Sequence, residues 1–486
     1  MPPPKWLRWI PVLGVLLVFG RAVGYGFVEW DDARYLLGNP LVAGGAGEVP
    51  WLDSLLTPQM GYVVPVTIAV ERALFVLGGG AAWTFHAAAL GLHALNAYLV
   101  LRLVLRLGGG ERAAILAALL WSCHPIVAEP VSWATGLKDV LALTLSLGCV
   151  LAYLGERFVV AVGLGVLAVL SKPTAGLVPL SLVAIEPRRL RPLGVLAGSS
   201  LVIAAASMLM RTVQIADRHG AAVSEGRANP LVVLATQAEH YVAPLALQPI
   251  YTVDNRSIWY SLVGLVVAAI AITAAWRGRG AVRFGALFAI LAYLPSSQLV
   301  PFPRTLADSF LYAPTVGMCI IAARLPWPRP ADVQRAAYLL IVLGALVATR
   351  QSTRWRSNET LWLPLIAEEP GWAYPCILLA QGYRQEGRSD AAAYLYEQAF
   401  ARQYTPQYLS AFAEALYAAG RADDALCVLQ EDLRFGPDAA RALRNLERFA
   451  KLTGRPVDEG AAGRPPRQCA ALARSIERIG AAQAGK

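Results

Sequence analysis

The chain has 486 residues, 56% of them hydrophobic and only 16% charged, with a formal net charge of +10 and a mean hydropathy of +0.47. Soluble domains carry about 25% charged and about 45–50% apolar residues, so the composition excludes a soluble enzyme and defines a polytopic membrane protein. The basic residues are spread along the chain rather than gathered in one patch, which excludes nucleic-acid binding, and the six cysteines contain no CxxC pair to hold zinc.

A membrane span needs about 20 mostly apolar residues, and the chain offers about eleven candidates. They are 9–28, 83–106, 112–131, 139–155, 158–171, 174–186, 193–210, 257–276, 284–300, 308–323 and 335–350. Several are short, as broken or tilted helices around a cavity would be. The N-terminal stretch resembles a signal sequence, but no Ala-x-Ala site follows, so it reads as an uncleaved first span. The segment 63–77 is interrupted by Glu71 and Arg72 and is expected to lie on the membrane surface as an amphipathic helix. The segment 231–249, with Gln237, Glu239 and His240, is left out of the spans for the same reason.

Lys and Arg collect in cytoplasmic loops, and this rule orients the spans. With Lys5 and Arg8 inside, the short-loop clusters at Arg102/Arg106/Arg112, Arg157, Arg188/Arg189/Arg191, Arg277/Arg279/Arg283 and Arg324/Arg329 all fall inside. Arg350, Arg354 and Arg356 fall outside and run against the rule. Asp31, Asp32, His124, Glu129, Lys138, Asp139, Lys172, Arg304 and Asp308 then face the outside, as does everything after residue 350. In an Ala-, Gly- and Arg-rich chain of bacterial type this is the periplasmic side of the inner membrane.

Residues 351–455 read as a separate helical domain. Gly387-Arg-Ser-Asp-Ala-Ala392 recurs as Gly420-Arg-Ala-Asp-Asp-Ala425, and Gly454-Arg455 follows, at spacings of 33 and 34 residues. That is the tetratricopeptide period, and it predicts two helix pairs and a partial third. Residues 456–486 are a Gly/Pro/Arg-rich tail. Cys376 and Cys427 are open to pairing if this domain is periplasmic. The resulting architecture is all-α, with a membrane domain over 1–350, a first outer loop over 29–82 and the repeats behind it.

Charged residues at membrane depth cost a few kcal/mol each, which makes them functional candidates. Four polar islands stand at the outer ends of the spans. They are Trp30-Asp31-Asp32; His124-Pro125 through Glu129 to Trp133 with Gly136-Leu-Lys138-Asp139; Ser171-Lys172-Pro173; and Arg304 through Asp308 to Tyr312-Ala-Pro314. Together with Asn39-Pro40-Leu41 and Phe85-His86…His93-x-x-Asn96, these islands resemble the motifs of the glycosyltransferase-C superfamily. Within it the chain is most similar to the transmembrane tetratricopeptide-repeat O-mannosyltransferases and their bacterial relatives. The resemblance covers about 25–420. It departs from the family pattern at Val64, Leu137 and Ser309, where the family has arginine.

The resemblance implies an inverting transfer of a sugar from a polyprenyl-phosphate donor to a hydroxyl on a protein, lipid or glycan. Such a reaction needs a carboxylate to take the acceptor proton and cations to hold the leaving phosphate. Asp31 is the candidate base, with Asp32 and Glu129 as the other catalytic candidates; Asp32 orients Asp31, coordinates a metal or is simply solvated. Lys138, Lys172 and Arg304 are the candidate phosphate ligands. His124, Asp139, Asp308 and Tyr312 are candidates for binding or orienting substrate, and Asp139 for pairing with Lys138. A divalent cation, Mg2+ or Mn2+, on Asp31 and Asp32 is an open alternative. The repeats are expected to dock the acceptor or an envelope protein partner.

Bland readings stand beside these. Lys138 and Arg304 suit interfacial snorkelling residues. Lys172 suits a helix end, His124 a helix broken at Pro125, and Tyr312 interfacial packing. His86 and His93 share one helix face and suit interhelical hydrogen bonds. Two other functions also remain: a transporter of lipid-linked sugars, and a non-catalytic scaffold that kept the fold.

Overall fold

The computed structural model describes residues 4–44, 57–58, 62–185, 194–202, 205, 228–252, 257–300, 304–324, 331–435 and 438–453. These residues are helical, with no β-strand among them. They divide into two units, one made of residues 1–27 and 31–356, the other of 28–30 and 357–486.

In the first unit five helical stretches are long and apolar enough to cross a membrane: Lys5–Gly24, Trp83–Arg106, Ala134–Leu154, Ile258–Arg277 and Arg335–Arg354. A sixth is possible only as a bent pair, Glu111–Ser122 with Pro125–Ser132, which turns by 54° at the break. The predicted spans at 158–171, 174–186 and 284–300 appear as shorter apolar helices, Phe158–Ser171, Pro173–Ala184 and Ala281–Ser296. Only Pro314–Ala322 is α-helical within the expected 308–323. Part of 193–210 lies outside the described residues.

Proline explains most of the shortening. Pro125, Pro173 and Pro314 each lie within a polar island and each stand at the first position of a new helix, where a missing N–H costs nothing. The islands therefore sit at helix breaks, where backbone and side chains turn into the same space. Trp121 is fully buried and donates from Nε1 to the Tyr312 carbonyl at 3.0 Å, tying two such breaks together. Close helix contact needs glycine here: a Cβ on Gly317 would stand 2.2 Å from the Gly285 carbonyl oxygen.

In the helix Pro65–Leu77 the two charged residues pack inward, Glu71 and Arg72 each being only 1% exposed. The helix packs on Pro40–Ala43, Trp83–Arg106 and Phe158–Ser171, and Thr67 Oγ1 donates to the Ser171 carbonyl at 2.8 Å.

The second unit is a run of helices, Asn358–Glu368, Tyr374–Gln385, Ser389–Arg402, Leu409–Ala418, Ala422–Phe435 and Ala439–Thr453, each packed on the next. Its core holds Trp362, Leu379, Tyr396, Phe400, Phe412 and Leu416. Gly387 and Gly420 have φ of +77° and +76°, the left-handed region that disfavours other residues. Each closes its helix in the same way: Arg388 N–H donates to Tyr383 O at 2.8 Å, and Arg421 N–H to Leu416 O at 2.9 Å. The recurring Gly-Arg is thus a helix stop. Gly454, which would be the third, lies outside the described residues. Cys376 is a free, buried thiol, so the Cys376–Cys427 pairing is not made.

Residues 28–30 belong to this second unit. Trp362 Nε1 donates to the Glu29 carbonyl at 3.0 Å, and Glu29 N–H donates to Asn358 Oδ1 at 2.5 Å. Trp30 meets the Trp362 ring edge-on at 5.7 Å.

Candidate functional site

The two adjacent aspartates have opposite environments. Asp32 is fully buried, and its Oδ1 accepts from the Thr135 N–H at 3.0 Å and from Thr135 Oγ1 at 2.5 Å. Gly136 permits this turn, since a Cβ there would stand 2.6 Å from the Pro130 carbonyl oxygen. Asp32 is therefore neither solvated nor free. Asp31 is half-buried, and only its carbonyl is occupied, by the Arg34 and Tyr35 N–H groups at 3.1 and 2.7 Å. Its carboxylate makes no hydrogen bond or ion pair among the described residues. It lies in the electrostatic field of both Lys138 and Arg304.

Lys138 is half-buried, with its ammonium over the faces of Tyr35 (4.7 Å to the centroid) and Trp133 (5.5 Å). Aromatic faces stabilise a cation without neutralising it. Among the described residues Lys138 has no carboxylate partner in an ion pair.

Asp139 does not pair with Lys138. It forms a hydrogen-bonded ion pair with Lys172, in which Asp139 is 7% and Lys172 21% exposed. Neighbours in a helix point about 100° apart and cannot face each other, whereas Lys172 reaches Asp139 from the end of another helix. A cavity opens beside this pair, lined by Val178, Ser309, Tyr312 and Pro314 as well as by Asp139 and Lys172.

Glu129 and Arg304 form a second pair. Arg304 Nη1 donates to Glu129 Oε1 at 2.7 Å and Nη2 to Oε2 at 3.3 Å, while Ser309 Oγ donates to Oε1 at 2.8 Å. Arg304 Nη2 also donates to the Pro249 carbonyl at 2.5 Å. Burial works against the Arg304 charge, but Glu129, then Asp308 and Asp31, more than offset it and raise its pKa. In this geometry Glu129 and Arg304 are each other's counter-ions. Asp308 is likewise engaged, accepting from the Tyr251 hydroxyl at 2.7 Å with His240 Nδ1 at 3.8 Å.

Two further candidates are structural in this geometry. His124 Nδ1 accepts from Ile126 N–H at 3.1 Å and Nε2 donates to the Tyr241 carbonyl at 3.0 Å, so both ring nitrogens serve the break at Pro125. The Tyr312 hydroxyl is buried between His93 Nδ1 at 2.8 Å and Asn96 Nδ2 at 3.3 Å. His93 also meets the Ser122 carbonyl at 3.0 Å, and His86 the Gly26 carbonyl at 3.4 Å, the interhelical roles their spacing suggests.

Sequence reasoning missed Glu71, Arg72 and Tyr35. Glu71 is buried within the field of Lys138 and Asp32, and its Oε2 has no hydrogen-bond partner among the described residues. Burial pushes its carboxyl up to about 8, with Lys138 opposing and Asp32 adding to the rise. The signal was available: a charged pair inside an apolar segment is the same cue that flagged the other islands.

A metal held by Asp31 and Asp32 finds no third ligand, since among the described residues no three His, Cys, Asp or Glu side chains converge. With Asp32 Oδ1 already committed to Thr135, the donor set does not fit a cation held by protein ligands alone. No protein-family model, curated protein or solved structure matches this chain.

Proposed function

We propose that the chain is an inner-membrane glycosyltransferase of the glycosyltransferase-C type, with about eleven spans counting the short and broken ones. Its N-terminus is cytoplasmic, and its active site and tetratricopeptide-like repeats face the periplasm. The donor is a polyprenyl-phosphate sugar and the acceptor a hydroxyl on a protein, lipid or glycan. The observation that carries this reading is the contrast within the charged cluster. Asp32, Asp139, Glu129 and Asp308 are all engaged by neighbours, while among the described residues the Asp31 carboxylate makes no hydrogen bond or ion pair and lies in the field of Lys138, which has no carboxylate partner there.

Asp31 would take the proton of the acceptor hydroxyl as its oxygen attacks the anomeric carbon. The bond from that carbon to the phosphate oxygen breaks on the opposite face, and the configuration inverts. The electron pair leaves with the polyprenyl phosphate, and Lys138 stabilises the negative charge that develops there. The Lys172–Asp139 and Arg304–Glu129 pairs frame the site and hold its helices in register. No step is assigned to a metal.

Asp31→Asn tests the assignment. Removing a general base costs typically about 10²–10⁴ in rate. The variant should insert and melt like the parent but transfer sugar at least about a hundredfold more slowly. Asp32→Asn, which disturbs the bonds to Thr135, should lower stability as well. Unchanged glycosylation in an Asp31→Asn strain, judged by glycoproteomic comparison with its parent, would sink the enzyme reading and favour a scaffold.

A further inference from the structure

Trp133 carries a buried hydrogen-bond donor that this mechanism does not use. The residue is 3% exposed, and its Nε1 has no hydrogen-bond partner among the described residues. It stands in extended backbone between the short helical turns Ala128–Ser132 and Ala134–Gly136. Trp355 stacks on it, with ring centroids 5.4 Å apart and planes 26° apart, which fixes the indole in place. The Lys138 ammonium stands over the same indole, 5.5 Å from its centroid.

A buried N–H left unpaired costs its full desolvation, so native proteins keep few of them and each calls for a reason. Here the orphan donor has a second donor beside it. Lys138 has no carboxylate partner among the described residues, and the groups beneath its ammonium are the ring faces of Tyr35 and Trp133. Two donors side by side suit an anion. The indole N–H lies within about 2.5 Å of its ring centre, so it is no more than about 8 Å from the ammonium. One phosphate, with an oxygen at hydrogen-bond distance from each donor, bridges a span of up to about 8 Å.

We propose that the Trp133 indole N–H is the second donor to the phosphate of the lipid-linked sugar and closes, with Lys138, a two-point clamp on it. The inference rests on the reading of Lys138 as a phosphate ligand. The two donors do different work. The ammonium is a point charge on a flexible stem and gives attraction without direction. The indole N–H gives direction, because it lies in the plane of a ring that Trp355 holds. As the anomeric bond breaks, the phosphate goes from a diester with a single charge to a monoester with about 1.5–2 charges at pH 7. The hydrogen bond from Nε1 therefore strengthens as the sugar leaves. Trp133 moves no proton and forms no covalent bond.

The test is binding of a radiolabelled polyprenyl monophosphate to the full chain in nanodiscs. Trp133→Phe keeps a ring against Trp355 and Lys138 and deletes the N–H, so affinity should fall about ten- to hundredfold, the worth of one hydrogen bond to a charged group. Benzothienylalanine in place of Trp133, with sulfur where the N–H was on the same bicyclic frame, should weaken binding equally and serves if phenylalanine loosens the fold. In a chain with isotope-labelled indole nitrogens, the NMR signal missing from Trp133→Phe should move downfield when the lipid phosphate is added. If both replacements bind as the parent does while Lys138→Met does not bind, the clamp is overturned and the Lys138 reading stands. Weaker binding with an unmoved indole signal shows that the ring only packs, and also overturns the clamp. A parent that binds no polyprenyl phosphate overturns the Lys138 reading, and the clamp with it.

Discussion

The Glu129–Arg304 pair gives the sharpest test of how the site is built. Glu129 is 1% and Arg304 23% exposed, and Glu129 accepts three hydrogen bonds, two from the guanidinium and one from Ser309. Glu129→Gln keeps the shape and one carbonyl oxygen, enough for Nη1 and Ser309. It turns an amide NH2 toward Nη2, so that two donors face each other and the guanidinium loses its bonded carboxylate. Removing one partner of a buried pair costs about 3–5 kcal/mol. Arg304 keeps some solvent and its bond to Pro249, which lowers the expectation to about 2–3 kcal/mol. A 150–250-residue domain loses about 2–4 °C of melting temperature per kcal/mol, and a longer chain somewhat less, so a fall of about 3–8 °C is expected. The assay is thermal unfolding of the detergent-solubilised chain, monitored by tryptophan fluorescence. A double variant, Glu129→Leu with Arg304→Met, should melt above Glu129→Leu alone, because no charge is stranded. The reasoning fails if Glu129→Gln melts within about 1 °C of the parent. If it also loses transfer, Glu129 acts in the chemistry rather than as a counter-ion.

Stability should also register Glu71 directly. Its folded-state pKa lies above its ordinary value of 4.5, at about 8, so the folded chain binds the extra proton. Stability from this group is then full below pH 4.5 and is lost as pH rises to about 8, by up to about 1.4 kcal/mol per pH unit. Melting curves of the parent against Glu71→Gln should diverge across that window, with the variant the more stable at pH 8; parallel curves would refute the burial of a protonated acid. In the second unit, Trp362→Phe removes the indole donor to the Glu29 carbonyl, at a cost of about 0.5–1.5 kcal/mol for one lost hydrogen bond. Hydrogen exchange at the Glu29 amide should quicken in that variant, and unchanged protection would show that 28–30 is not held there.

The elements that were legible in the sequence were those with a single strong cause. Long apolar runs became helices at 83–106, 258–277 and 335–354, and Gly387 and Gly420 marked helix ends because each needs a left-handed backbone. Proline was the less readable signal. It placed the islands correctly at Pro125, Pro173 and Pro314, but it also broke the segments that hydropathy counts as whole spans. For the site, the residue types were legible and the pairings were not. Lys138 and Asp139 are adjacent in sequence and diverge on the helix, and the true partner of Asp139 is 33 residues away. Ser309 does not leave Glu129 without a partner, since its hydroxyl donates to Oε1 beside the Arg304 fork. The burial of Glu71 and Arg72 was not legible either, because charges that interrupt an apolar segment do not say whether they face water or the protein interior.

The engaged pairs explain why one acid and one base can stay uncommitted in so dense a cluster. An isolated carboxylate and ammonium in a low-dielectric site attract strongly and would close on each other unless other contacts held them. Here the Lys138 ammonium rests on two aromatic rings, and Asp31 is held by its backbone, so neither has to bond the other to be stable. The Lys172–Asp139 and Arg304–Glu129 pairs each bring a carboxylate and a cation together. On the proposed reading the acceptor binds on the Asp31 side of the sugar and the phosphate on the Lys138 side. Binding and transfer should then separate: Asp31→Asn leaves the donor phosphate its cation, while Lys138→Met removes the donor's hold and leaves the base in place.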